Sequence, residues 1–267
     1  MPLTLRQENG ITTIAINRPE ARNAVDPETA TALYNAFLDF EANETAQIAI
    51  LTGSSTAFCA GFDLKAAAAG LDFAWHQRHD IPDGWSNPQQ HPLPSPMGPA
   101  RLMLSKPVIA AIEGAAVAGG MELALWCDIR LMGQSAYFGV FCRRWGVPLI
   151  DGGTQRLPAL IGQGRANELI LTGRAVPADE ALAIGLTNRV VQDGTALAAA
   201  QTYAEALLKF PQDCMLADRD AARPAPAELA AGLTREWRGA TAALAQTTQG
   251  AARFARGKGR GGGFDDI

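Results

Sequence analysis

Lys106-Pro107 is followed by five apolar residues, Val108 to Ile112, and then by Glu113-Gly114-Ala115-Ala116-Val117-Ala118-Gly119-Gly120-Met121-Glu122. The apolar run has the length of a buried strand, and Gly119 to Trp126 continues as a short helix. Strand, glycine-rich turn and helix together demand a β/α chain whose backbone comes close to something at the turn. A phosphate loop is the first possibility to test. Gly114 and Gly119 have the spacing of one, but Gly120-Met121 stands where a lysine and a hydroxyl residue are required. A dinucleotide fingerprint fails as well, because Gly114 is followed by two alanines. What remains is a helix that opens on two glycines with no Ser, Thr, Asp or Asn cap. Its first amides lack partners and lie at the positive end of the helix dipole, which suits a developing oxyanion. Glu122 lies three residues after Gly119 and emerges on nearly the same face. A carboxyl group beside an oxyanion donor is what chemistry next to a carbonyl needs. The alternative is a helix packed tightly through its glycines, with Glu122 as a first-turn partner of the dipole.

The rest of the chain keeps the β/α rhythm. Leu3 to Glu8 and Ile11 to Asn17 flank Asn9-Gly10, a two-residue hairpin signal. Asp26-Pro27-Glu28 opens a helix to about Glu41 with a cap, a first-turn proline and an acid. Gln47 to Thr52 and Asp128 to Met132 read as strands, with a further strand at Leu186 to Val191. Helices are expected around 154–161, 164–171 and 177–184, and nearly throughout from Thr195. Between Trp75 and Pro99 lie six of the sixteen prolines and all three histidines, His76, His79 and His91. A long irregular stretch inside a compact domain is a covering or binding loop. Residues 1–195 are therefore expected to form an α/β core with a pocket loop at about 66–100. Residues 196–267 form a helical region of the same functional domain, with a mobile glycine-rich tail at Gly257 to Gly263.

Composition narrows the class of function. The 267 residues are 48% hydrophobic and 19% charged, with a net charge of −4. That balance supports a globular core and disfavours a nucleic-acid partner. No apolar run approaches the roughly 18–20 residues of a membrane span, and MPLTLRQENG lacks the regions of a signal peptide. Cys59, Cys127, Cys142 and Cys214 show no close pairing, so a reduced cytoplasmic chain without structural metal is expected.

Two more glycine clusters follow the same logic. Phe58-Cys59-Ala60-Gly61-Phe62-Asp63-Leu64-Lys65 comes after the Gln47 strand, with Asp63 placed to cap the next helix. Gly152-Gly153-Thr154-Gln155-Arg156-Leu157 opens another helix. With Asn17-Arg18-Pro19, Asn23-Ala24 and the LTGRAVPADEALAIGLTNRVV stretch, these motifs resemble the crotonase superfamily, whose namesake is enoyl-CoA hydratase. The resemblance covers most of the chain except the 66–100 loop and the tail. It implies a crotonase-like α/β spiral of ββα units with a helical C-terminal oligomerisation region, assembled as a homotrimer or hexamer. It also implies an acyl-CoA thioester substrate and an enolate held by two backbone amides, which map onto Phe62 and Gly119. Ala60, Asp63, Leu64 and Lys65 would lie along the CoA strip, with Asp63 acting as a cap. No cofactor beyond the coenzyme A of the substrate is implied, and no metal.

One position breaks the pattern. Hydratases of this family carry two glutamates; one maps onto Glu122, while the other falls where this chain has Cys142. A thiol orients water poorly, and most free cysteines are core residues, but Cys142 stands with Glu122 and Asp151 among the candidate catalytic residues. Asp151 offers a second acid/base group, since dienoyl-CoA isomerases and naphthoate synthases look similar in placing an aspartate there. Its structural alternative is an N-cap for the following helix. Arg143-Arg144 is open to an acyl carboxylate, CoA phosphates or interface salt bridges, and Trp75 and Trp85 to pocket lining or loop anchoring. His76 and His79 lack a third ligand for a metal. The expected reaction is hydration of a 2-enoyl-CoA by Glu122 with Asp151. Enoyl- or dienoyl-CoA isomerisation by the same pair, or acyl-CoA binding with little turnover, are the alternatives.

Overall fold

The computed structural model describes residues 1–54, 56–69, 73–240 and 243–257. Strands β1 (Leu3–Glu8) and β2 (Ile11–Ile16) form an antiparallel hairpin. Asn9 and Gly10 both take positive φ at its turn, as the right-handed twist of a two-residue hairpin requires. Helix α1 (Pro27–Ala42) starts on Asp26, whose Oδ1 accepts the Thr29 amide at 2.8 Å. Then follow β3 (Ile48–Gly53), α2 (Leu64–Ala69), α3 (Phe73–His79), β4 (Val108–Ile112), β5 (Ala115–Val117) and α4 (Gly119–Trp126). The middle of the chain continues as β6 (Ile129–Gly133), β7 (Tyr137–Gly139), α5 (Gly153–Ile161), α6 (Gln163–Thr172), β8 (Ala175–Pro177), α7 (Ala178–Ala183) and β9 (Arg189–Val191). Helices α8 (Ala196–Leu207), α9 (Gln212–Ala222), α10 (Pro226–Ala240) and α11 (Leu244–Ala255) complete it.

The main sheet runs β1-β2-β3-β4-β6-β9, parallel beyond the first hairpin. Its central strands are apolar on both faces because both faces are covered. Ala49, Leu51, Val108, Ala110 and Ile112 turn towards α1 and the larger core. Ile48, Ile50, Ile109, Ala111 and Leu131 turn the other way, onto Ala196, Ala200 and Ala204 of α8. Those alanines recur every four residues, so one small-residue stripe lets α8 lie close to the sheet.

A second sheet, β5-β7-β8, receives the chain from β4 through Gly114. Gly114 has φ +56, and a Cβ there would fall 2.0 Å from the Thr56 carbonyl oxygen. The glycine-rich turn read from the sequence therefore contains a strand of its own. Three-residue strands such as β5, β7 and β8 are too short to show a hydrophobic period. The expected strand at Leu186 is shorter as well, covering only Arg189–Val191. The Leu186 amide instead closes the end of α7 on the Ala181 carbonyl at 2.8 Å.

Within the 66–100 region, α2 and α3 precede the irregular part, where Ser95 and Gly98 exchange backbone hydrogen bonds. Helix α10 packs on α5, and α11 packs on α2 and on the 3-10 turn Phe141–Trp145. Beyond Gly257, the glycine-rich tail lies outside the described residues. No helix among the described residues is long and apolar enough to cross a membrane.

Candidate active site

A cavity of about 580 Å³ lies beside β5 and β7 of the small sheet and the start of α4, and Phe62, Gly119, Glu122, Cys142 and Asp151 all line it. The backbone that frames it is tightly specified. Residues 59–63 lie between Val25 and β5: Val25 donates to the Gly61 carbonyl and Asp63 donates to the Val25 carbonyl, each at 2.8 Å. On the other side Cys59 donates to the Ala115 carbonyl at 2.9 Å. Gly61 has φ +93, and a Cβ there would lie 2.9 Å from Ala118 Cβ and 3.1 Å from the Gly119 nitrogen. Only glycine allows this approach.

Ala118 is itself strained, with φ 53 and ψ −127. Such a conformation costs a non-glycine residue on the order of 1–3 kcal/mol and persists only where its surroundings impose it. Here the Ala118 amide is held by the Gly139 carbonyl at 2.8 Å. The turn starts α4 with no side-chain cap. Gly120 must follow, because a Cβ there would meet the Cys59 carbonyl oxygen at 2.1 Å. Neither the Phe62 nor the Gly119 amide donates to another described residue. Both belong to the cavity wall.

Glu122 is 3% exposed. Its Oε1 accepts the amides of Asp151 at 2.9 Å and Gly153 at 2.8 Å. Its Oε2 has no hydrogen-bond partner among the described residues. Burial, reinforced by the charges of Asp151 and Glu236, pushes the Glu122 carboxyl well above its usual range. Asp151 is also buried, and burial raises it too. A Ser95 hydrogen bond, the Met97 amide and the charges of Arg101 and Arg156 hold that rise back. Glu122 and Asp151 thus share one buried site with unequal support, the arrangement in which two carboxyl groups titrate apart.

Asp151 does not cap α5, the structural alternative considered for it. The N-cap is Gly152, which offers no side chain, and Asp151 Oδ1 accepts the Met97 amide at 2.9 Å instead. The capping is done by Glu236 of α10, a residue the sequence reading passed over. Its Oε2 accepts the Gly152 amide at 2.6 Å, and its Oε1 accepts the Thr154 amide at 2.8 Å and hydroxyl at 2.7 Å. One signal for it was present: Ala230, Leu233, Trp237 and Ala240 form the buried stripe of α10, and Glu236 falls inside it. A carboxylate on an apolar helix face is the anomaly to pursue.

Cys142 lines the cavity, but burial and the nearby Glu122 push its thiol up to about 12. A thiol raised that far favours its neutral form at physiological pH. Ala60, Leu64 and Lys65 line the cavity together with Asp63. Asp63 Oδ1 accepts the Lys65 amide at 3.0 Å at the start of α2, and its Oδ2 lies 3.1 Å from Arg18. Trp75 lines the cavity and meets Phe62 edge to face, with ring centroids 5.9 Å apart. Trp85 is a loop anchor, donating to the His91 carbonyl at 2.7 Å. Arg144 reaches the cavity stacked on Phe141 at 3.9 Å, while Arg143 donates to the Ile170 carbonyl at 3.2 Å. His79 turns its Nδ1 to the Trp75 carbonyl at 2.8 Å, and the side chain of His76 lies outside the described residues.

A family model described as enoyl-CoA hydratase/isomerase matches residues 6–258. The chain is 36% identical over 211 residues to a probable peroxisomal enoyl-CoA hydratase 1 of Arabidopsis thaliana, covering 79% of this chain and 74% of that one. It is also 36% identical over 208 residues to the (E)-benzylidenesuccinyl-CoA hydratase of Thauera aromatica, covering 77% and 75%. Among solved structures, carnitinyl-CoA hydratase from Mycobacterium avium matches with a TM-score of 0.79 and 28% identity over 96% of each chain.

Proposed function

The chain belongs to the enoyl-CoA hydratase/isomerase family, and on that premise we propose that it adds water across the 2,3 double bond of an enoyl-CoA thioester. The observation that carries this reading is the shared cavity. Two amides without a partner among the described residues, Phe62 and Gly119, and two buried carboxyls, Glu122 and Asp151, line one cavity. The amides act as the oxyanion hole: as water attacks C3, negative charge moves to the thioester oxygen, where two preorganised donors lower its cost by several kcal/mol. Asp151, the carboxyl with more cationic and hydrogen-bond support, takes the proton of the attacking water. Glu122, whose carboxyl burial pushes well above its ordinary range, delivers a proton to C2. The product is a 3-hydroxyacyl-CoA, and return of one proton from Asp151 to Glu122 resets the pair.

Ala60, Asp63, Leu64 and Lys65 line the strip along which the CoA moiety lies, and Cys142 is a neutral wall of the acyl pocket. All the chemistry falls to carboxyls and amides, so no cofactor beyond the substrate's own coenzyme A is needed. Exposed Leu171, Leu182 and Phe210 support burial between copies in a homotrimer or a pair of trimers. Four free cysteines fit a reduced compartment, and we assign the enzyme to the cytoplasm.

The test is incubation with 2-enoyl-, 3-enoyl- and dienoyl-CoA substrates in heavy water, followed by mass spectrometry. The expected product is heavier than a 2-enoyl-CoA by one water. A rearranged double bond with deuterium at the α- or γ-carbon and no added water would move the assignment to an isomerase.

A further inference from the structure

The turn Asp151-Gly152-Gly153-Thr154 is gripped from two sides. Its first and third amides point to Glu122 of α4, and its second and fourth to Glu236 of α10. The four amides alternate between them, so two carboxyl groups divide donors that α5 cannot satisfy itself. The glycines make room for Glu122 and for Arg156. A Cβ at Gly153 would fall 2.8 Å from Glu122 Oε1, and one at Gly152 would fall 1.9 Å from Arg156 Nη1. Arg156 Nη1 in turn donates to the Asp151 carbonyl at 2.9 Å.

Helix α10 is built to deliver Glu236 to this place. One turn earlier Gly232 faces α5 so closely that a Cβ would lie 2.5 Å from Gln155 Oε1. Next to Glu236, Trp237 donates its indole Nε1–H to Asp80 at 3.1 Å and carries the Arg101 guanidinium over its ring at 4.6 Å. Arg101 itself donates to the carbonyls of His79 and Pro94 at 2.6 and 3.1 Å. Two adjacent residues of α10 thus hold the turn that carries Asp151 and the loop that supplies the Met97 amide to it.

We propose that Glu236 is a positioning residue for hydration: by holding the Gly152 and Thr154 amides it fixes the turn in the one register that aims Asp151 and leaves two amides for Glu122. The inference rests on the hydratase reading of the site. Glu236 also bears on the proton of Glu122. The groups facing Glu122 are Asp151 and Arg156 from the turn and α5, Cys142 from the 3-10 turn, and Glu236 from α10. Of these, Asp151 and Glu236 are the charges that raise it.

The test compares Glu236→Gln, Glu236→Ala and Glu122→Gln with the wild type, using crotonyl-CoA across a pH series. Gln keeps the shape of Glu236 but turns an NH2 group towards one of the donors. A misplacement of about 1 Å at the turn costs on the order of 100-fold in kcat, so Glu236→Ala should lose about that much and Glu236→Gln about 10-fold, each with KM within about 3-fold. With the Glu236 charge removed, the alkaline limb of the kcat profile of Glu236→Gln should move to lower pH, which a purely structural role would not cause. Wild-type kcat and pH profile in both Glu236 variants, with Glu122→Gln inactive, would overturn the proposal while sparing the hydratase reading. Activity losses that merely track the folded fraction by circular dichroism, with the profile unmoved, would also overturn it. Full turnover by Glu122→Gln would overturn the hydratase reading, and this inference with it.

Discussion

Asp151 Oδ1 accepts the backbone amide of Met97 at 2.9 Å, joining the Asp151–Thr154 turn to the end of the pocket loop, 54 residues earlier in the chain. Both groups are buried, so the bond replaces water that neither can reach. The same carboxylate that is assigned the base role thus also fixes the wall of the pocket.

That double duty separates two substitutions. Asp151→Asn keeps an oxygen for the Met97 amide and loses only the base. Its turnover on a 2-enoyl-CoA should fall on the order of 100- to 10,000-fold with a nearly unchanged melting temperature. Asp151→Ala also leaves the Met97 amide without an acceptor, which adds a stability loss of about 1–3 kcal/mol. Steady-state kinetics and denaturant titration distinguish the two. Full turnover by Asp151→Asn would remove Asp151 from the chemistry.

Glu122→Gln should lose turnover on a similar scale, about 100-fold or more. Its Oε1 can still accept the Asp151 and Gly153 amides, so a CoA product should bind with affinity near wild type by calorimetry. Stability carries the pH signature. Burial raises the Glu122 carboxyl well above 4.5, its ordinary value. The stability linked to its proton is complete below the unfolded value and is lost as pH rises through the folded one. Glutamine needs no proton. The melting temperature of Glu122→Gln relative to wild type should therefore climb as pH is raised from about 5 to about 8. A difference independent of pH would show that Glu122 is not held protonated.

At Gly61 an alanine meets both an unfavourable φ of +93 and the Ala118 Cβ at 2.9 Å. Gly61→Ala should lower stability by about 1–2 kcal/mol from the backbone conformation alone. It should also depress kcat, because relief of the clash moves the Gly119 amide. Loss of stability with unchanged kcat would detach Gly61 from the oxyanion geometry.

The cysteines should divide by environment. Cys142 is buried with its thiol pushed up to about 12, whereas Cys214 is exposed. Iodoacetamide at mildly alkaline pH should label Cys214 first, and Cys142→Ser should keep kcat within a few-fold of wild type. A loss of turnover near 100-fold in Cys142→Ser would instead give the thiol a direct part in the reaction.

Short-range chemistry was readable from the chain. Asn9-Gly10 makes its hairpin and Asp26 its cap because each needs only neighbours within a few residues. The pairing of Gly119 with Glu122 follows from helical spacing, and the family motifs located Phe62 and Asp151 in one cavity with them. The direction of the Asp151 side chain was not readable. An aspartate before Gly-Gly-Thr has the local pattern of a cap, but here its carboxyl turns to the Met97 amide and Ser95 instead of α5.

Glu236 marks the limit most clearly. It meets the Gly152 amide across 84 residues of chain, and no local pattern encodes a helix cap supplied by another helix. By itself, the sequence determined the β/α order, the glycines at the close approaches and the residue types that bear the chemistry, since backbone sterics and helical periodicity act within a few residues. The tertiary structure alone decided which carboxylate holds which amide and how far each proton is raised. Hydrogen bonding and desolvation depend on what the fold brings within about 3 Å and on how much water it excludes.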